Sequence, residues 1–251
     1  MTGPLRTLFL DVPLDPLSMR ETVERIVGAI REGRPIAHLG VNAANLILAR
    51  DDPRYLADLS SADLVSADGQ SVVWGARLYG IAVPERVAGI DLMEALLTEC
   101  ARREWSVYLL GARDEVVRAL GDRLETRGVR VAGRHHGYFD GDRDAAMAAE
   151  IRASGATMLF VGMPSPRKER FVIHEARVAG IPFSMGVGGS FDVLAGVLSR
   201  APAWVQRLGL EWLYRLVQEP RRLLKRYVVT NTRFLVLLAL HARGRRPRWR
   251  R

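Results

Sequence analysis

The stretch LVSADGQSVVWGARLY, residues 64–79, changes periodicity within a single turn. Leu64, Val65 and Ser66 read as a short buried strand, Ala67-Asp68-Gly69 as a turn, and Gly69–Tyr79 repeats apolar residues at helical spacing. The same unit recurs outward in both directions. Strands are predicted over Leu8–Val12, Ile36–Leu39, Val107–Leu110, Val129–Ala132, Met158–Val161 and Phe183–Val187, and helices over Pro16–Arg31, Ile90–Arg103, Asp114–Arg127, Arg143–Ala153 and Arg167–Ala179. Alternation of this kind specifies an α/β fold, a mostly parallel sheet with helices on both faces. Ligands of such sheets sit beyond the carboxyl ends of the strands. Gly40-Val-Asn42, Ala67-Asp68-Gly69, Gly111-Ala-Arg113, Gly162-Met-Pro164 and Gly186-Val-Gly-Gly189 therefore hold the candidate chemistry.

Charge divides the chain in two. Residues 201–251 carry thirteen Lys or Arg against two Glu, whereas residues 1–200 carry 24 basic and 26 acidic side chains. The expected organisation is a body over 1–200 and a basic helical appendage over 201–251, with the composition shift at Arg200-Ala-Pro202. Trp204, Trp212, Tyr214, Tyr227 and the apolar run Phe234 to Leu240 interleave with the cations. That pattern suits an anionic membrane surface, a nucleotide diphosphate or a nucleic acid. No run reaches the roughly 18–20 apolar residues of a membrane span, so the expectation is a protein that lies on a membrane without crossing it. The single cysteine, Cys100, excludes an intrachain disulfide and reads as core filler in a reducing compartment. A nucleic-acid-binding role would leave the acidic-leaning body and the strand-end residues unexplained. A dinucleotide-dependent oxidoreductase would require a strand–GxGxxG–helix unit that the sequence lacks.

Several residues are open to two readings. Asp68 either caps the helix that follows it or points into the crevice as a general base. Asn42 is either a turn stabiliser or a substrate hydrogen-bonder. Gly186-Val-Gly-Gly-Ser190 is either tight packing or a backbone cradle for phosphate oxygens. Asp140-Gly-Asp142 has the spacing of a metal-holding D-x-D motif, but turn and cap use explain its surroundings. His135 and His136 would face opposite sides of a regular strand, against paired metal ligation. Arg215, Arg222 and Arg226 stand at i, i+7 and i+11, within about 40° of one helical face. Pro220 is expected to end one helix and open another, so convergence of the three on a diphosphate requires the two helices to be roughly coaxial.

Seven ordered stretches resemble the WecG/TagA/CpsF family of bacterial glycosyltransferases. They are VNAANL (41–46), ADGQSVVWGARLYG (67–80), ERVAGIDLM (85–93), VYLLGA (107–112), LFVGMPSPRKERF (159–171), GVGGSFDVLAG (186–196) and RAPAWVQRLGLEWLYRLVQEPRRLLKRY (200–227). The resemblance implies a Rossmann-like body and inverting transfer from a UDP-sugar to a polyprenyl-diphosphate-linked saccharide at the cytoplasmic membrane face, with no cofactor and no metal. It makes Asp68 the catalytic base. It gives substrate contacts to Asn42, Gly69, Gln70, Asp91, Gly162, Lys168, Glu169, Gly188, Gly189 and Asp192, with Arg215, Arg222 and Arg226 completing the diphosphate site. The tail is expected to hold the protein peripherally on an anionic leaflet, and body surface beneath the appendage would support a homo-oligomer. Three positions depart from the family pattern: Gly40 replaces a Thr, Pro164 a Gly, and Lys168 a Gln. A Gln both donates and accepts, whereas Lys only donates and adds charge, so the donor sugar need not be the N-acetylmannosamine type of the better-known members, and an exopolysaccharide branch is expected.

Overall fold

The computed structural model describes residues 6–244, with the side chains of Arg222, Arg226 and residues 242–244 outside the description. Its elements in order are β1 (Thr7–Phe9), β2 (Val12–Leu14), α1 (Met19–Arg31), β3 (Ile36–Val41), α2 (Ala43–Asp51), α3 (Pro53–Ser61), β4 (Leu64–Ala67), α4 (Gln70–Leu78), α5 (Gly89–Arg103), β5 (Ser106–Gly111), α6 (Asp114–Thr126), β6 (Arg130–His135), α7 (Asp144–Ala153), β7 (Met158–Gly162), α8 (Arg167–Arg170), β8 (Phe183–Gly186), α9 (Ser190–Leu194), α10 (Ala203–Arg207), α11 (Glu211–Gln218) and α12 (Pro220–Gly244). Six strands form one parallel sheet in the order β4-β3-β8-β7-β5-β6.

The period-2 rule of strands sorts the core into two layers. Leu39, Val65, Leu110, Leu159 and Val161 face α2, α3, α4, α7 and the helical turns after α8. Leu64, Val107, Leu109, Met158, Phe160 and Phe183 face α1, α5 and α6. Cys100 is buried in this second layer, and burial pushes its thiol up to about 12.

Two expectations change at the N-terminal half. The predicted strand Leu8–Val12 is a hairpin, because Leu10 and Asp11 both take positive φ and turn the chain between β1 and β2. The predictions also passed over α2 and α3. Each opens on a side-chain cap: Asn42 accepts from the N–H groups of Ala44 and Asn45, and Asp52 from that of Arg54 with Pro53 at the first helical position.

The appendage is part of the fold. Phe234 and Leu237 of α12 are 3% and 7% exposed and join the first core layer, while Leu235 and Val236 are 65% and 52% exposed. Gly75 on α4 shows why: a Cβ there would lie 2.8 Å from Phe9 and 3.5 Å from Phe234. Arg233 adds a two-pronged ion pair to Asp51 of α2 at 2.6 and 2.7 Å. The apolar run expected on the leaflet is thus divided by helical period, one stripe in the core and one outside.

Pro220 does open a new helix, but α11 and α12 are not coaxial. Trp212 and Tyr227 meet edge to face with ring centroids 5.9 Å apart, whereas fifteen residues along one straight helix span about 22 Å. The pair folds back at Glu219, whose φ of −129° and ψ of 56° break the helical path. Arg215 on α11 and positions 222 and 226 on α12 therefore do not stand on one continuous helical face, contrary to expectation. The Arg222 and Arg226 side chains, and the tail from residue 245 onward, lie outside the described residues.

Candidate active site

The carboxyl ends of β3 and β4 bring Asn42 and Asp68 side by side. The Asp68 and Gly69 N–H groups donate to Val41 O at 2.9 and 3.2 Å, closing the turn after β4 onto the end of β3. A Cβ on Gly69 would come within 2.9 Å of Asn42 Cβ, so the close approach of the two turns requires glycine there. A Cβ on Gly40 would lie 3.1 Å from Asp68 Cβ. The departure from Thr at this position therefore leaves space directly against the carboxylate.

Asp68 caps a helix, but not the one that follows it. Its Oδ1 accepts from Gly89 N at 2.7 Å, at the start of α5, whose own N-cap residue Ala88 has no side chain able to do so. One carboxylate oxygen is thereby fixed by a helix N-terminus 21 residues away. Among the described residues no hydrogen bond engages the other, and the side chain is half-buried. That is the geometry a base requires: anchored on one oxygen and open to a hydroxyl on the other. Asn42 keeps its capping role through Oδ1, which leaves its amide N–H groups for a ligand.

At the end of β8, Gly188 takes φ +53° and the chain turns into α9. Arg215 of α11 lies over this turn, its Nη2 donating to Gly189 O at 3.4 Å, and Asp192 Oδ2 approaches the same glycine. Gly162 ends β7 beside Gly111, where a Cβ on Gly111 would meet the Gly162 backbone at 2.5 Å. Connections from β5 and β7 leave in opposite directions, to β6 and β8, which makes this pair the switch point of the sheet. From β7 to β4 is three strand spacings, about 14 Å.

Lys168 stretches along Gly186, with its methylenes 3.3 Å from where a Cβ would stand. Its ammonium donates to Ser165 Oγ and to Glu169 Oε1. Glu169 is 1% exposed and does not itself reach the crevice. Its Oε1 also accepts from Tyr55 Oη at 3.0 Å and Ser165 Oγ at 2.8 Å.

Asp91, expected at the substrate, is engaged by Arg200 and lies 4.0 Å from Arg86, which in turn pairs with Glu211 of α11 at 3.0 Å. The Arg86–Glu211 pair ties the appendage to the body beside the Asp68 turn. Gln70 has a comparable place, since a Cβ on Gly209 would meet Gln70 Cγ at 2.6 Å and Trp74 at 3.0 Å. Arg86 is a cation near the Asp68 turn that sequence reasoning passed over, although it stands inside the quoted ERVAGIDLM stretch.

The remaining candidates lie elsewhere. Asp140 and Asp142 are exposed in the turn after β6, the opposite edge strand from β4. Five strand spacings separate the two, about 24 Å, so the D-x-D pair does not share a site with Asp68. His135 and His136 do not point apart, because β6 ends at His135; their rings lie 4.4 Å apart.

Glycine-rich turns at the carboxyl edge of a parallel sheet, with one anchored carboxylate and an arginine brought in by a C-terminal helix, agree with the comparison of the chain against known families. The model of the Glycosyl transferase WecG/TagA/CpsF family matches residues 7–248, and the chain belongs to that glycosyltransferase family.

Proposed function

We propose that this glycosyltransferase moves a sugar from a UDP-sugar to a saccharide carried on polyprenyl diphosphate, with inversion at the anomeric carbon and without a metal ion, in exopolysaccharide assembly. The observation that carries the reading is the Asp68 carboxylate, held by Gly89 and open on its other oxygen, on the same sheet edge as Arg215 over the Gly189 turn. The acceptor hydroxyl oxygen bonds to the anomeric carbon as the bond from that carbon to the UDP oxygen breaks, and the hydroxyl proton passes to Asp68. Charge develops on the departing diphosphate, where Arg215 stabilises it, with Arg222 and Arg226 as further candidates. Titration with a panel of UDP-sugars tests the donor class: the one used raises the melting temperature, because it binds only the native state. A panel without any such shift would overturn the reading.

Peripheral attachment to an anionic leaflet at the cytoplasmic face completes the proposal. Among the described residues no helix is long and apolar enough to cross a membrane. Exposed Trp204, Trp212, Val217, Leu224 and Val228 on α10 to α12, together with the five arginines in residues 245–251, support a surface role. Removing residues 245–251 tests it without stripping Phe234 and Leu237 from the core, as removal of 228–251 would. Undiminished sedimentation of the shortened protein with anionic vesicles would dismiss those arginines as the anchor.

A further inference from the structure

A buried chain of hydrogen bonds joins the turn after β3 to Lys168 at the end of the neighbouring strand β8. Asn42 N donates to Asn45 Oδ1 at 3.1 Å, Asn45 Nδ2 donates to Tyr55 Oη at 2.6 Å, and Tyr55 Oη donates to Glu169 Oε1 at 3.0 Å. Lys168 closes the chain by donating to the same Oε1 and to Ser165 Oγ. Asn45, Tyr55 and Glu169 are all buried, so each polar group depends on its neighbour for a partner. Burial, together with the charge of Glu169, pushes the Tyr55 hydroxyl far above the ordinary phenol range, so it remains a donor at any working pH. The result is a fixed direction of donation from the Asn42 turn to Glu169.

An ammonium has three N–H donors, and two of those on Lys168 are committed. The side chain is 12% exposed and lies along Gly186 at the end of β8, beside the Gly186–Ser190 turn. We infer that Asn45, Tyr55 and Glu169 are positioning residues that lock Lys168 at the strand ends, so that its third N–H is offered to an accepting oxygen of the donor nucleotide or its sugar. A neutral amide at position 168 would both donate and accept. A pinned ammonium selects a ligand that presents an acceptor there, which makes Lys168 a specificity determinant. The ligand half of this inference rests on the donor site proposed above; the locking of Lys168 does not.

Lys168 and Lys225 are the only lysines in the sequence, and Lys225 is exposed, so amine acylation read by peptide mass spectrometry compares a locked lysine with a free one. In the full-length protein Lys168 should acylate far more slowly than Lys225. Tyr55→Phe removes one of the hydrogen bonds that hold Glu169 and should speed acylation of Lys168 about tenfold, with Lys225 unchanged. An unchanged Lys168 rate would overturn the positioning role. Should Lys225 also accelerate, showing a loosened fold, Glu169→Gln makes the same test with volume conserved.

UDP and UDP-glucose serve as ligand probes. Protection of Lys168 by either supports the contact. A probe that raises the melting temperature yet leaves Lys168 unprotected removes Lys168 from the donor site while the UDP-sugar reading stands. If neither probe shifts the melting temperature nor protects Lys168, it is the donor reading that fails, and the Tyr55→Phe result still decides the locking.

Discussion

Asp68 and Gly89 are joined by a 2.7 Å hydrogen bond that makes the carboxylate the N-terminal cap of a helix that starts 21 residues further along the chain. Asparagine keeps the accepting oxygen but cannot take a proton. Asp68→Asn should therefore retain the melting temperature and donor affinity while turnover falls about 10²–10⁴-fold. Steady-state kinetics alongside thermal unfolding checks both halves, and near-normal turnover would remove Asp68 from the role of base.

Arg215 donates to Gly189 O across the turn at the end of β8. If it stabilises the departing diphosphate, Arg215→Ala should lower kcat by about 10²–10³-fold, the usual cost of losing one donor to developing charge. Asp140→Ala and Asp142→Ala, at the far edge of the sheet, should leave kcat within about twofold, and EDTA should be without effect. Loss of activity in EDTA, restored by a divalent cation, would count against the metal-independent mechanism.

His38 on β3 is fully buried, with Nε2 2.9 Å from Ser66 Oγ. Burial lowers its pKa from the ordinary 6.5 to about 4, against a smaller opposing effect of Asp15. The folded state thus binds this proton less readily than the unfolded chain. The stability it preserves is complete above pH ~6.5 and is lost as pH falls towards ~4, about 3 kcal/mol in all. Urea midpoints measured across that window should fall with pH, and His38→Gln should flatten the slope.

Phe234 and Leu235 are neighbours on α12 with opposite surroundings, one in the core and one in solvent. Phe234→Ala should cost about 3–5 kcal/mol and Leu235→Ala less than about 0.5 kcal/mol. Equal, small effects in denaturant titrations would mean that α12 does not cover the body.

The sequence by itself determined the layered fold, because strand and helix periods are local properties of side-chain direction, and six of the eight strands, those of the parallel sheet, lie where apolar runs meet glycine turns. It also singled out Asp68, Asn42 and the Gly186–Ser190 turn, since strand ends in a parallel sheet are sites whatever the ligand. Helices α2 and α3 escaped because Asn42 and Asp52 were not read as caps. Only the tertiary structure decided which residues meet. The cap that fixes Asp68 comes from Gly89, the fold-back at Glu219 sets Trp212 on Tyr227, and α12 divides its apolar residues between core and surface. The link from Asn45 through Tyr55 to Glu169 spans 114 residues between its last two members, and no local pattern marks it. Periodicity says which way a side chain points from its own element, whereas a partner distant in the chain is fixed by how the layers pack.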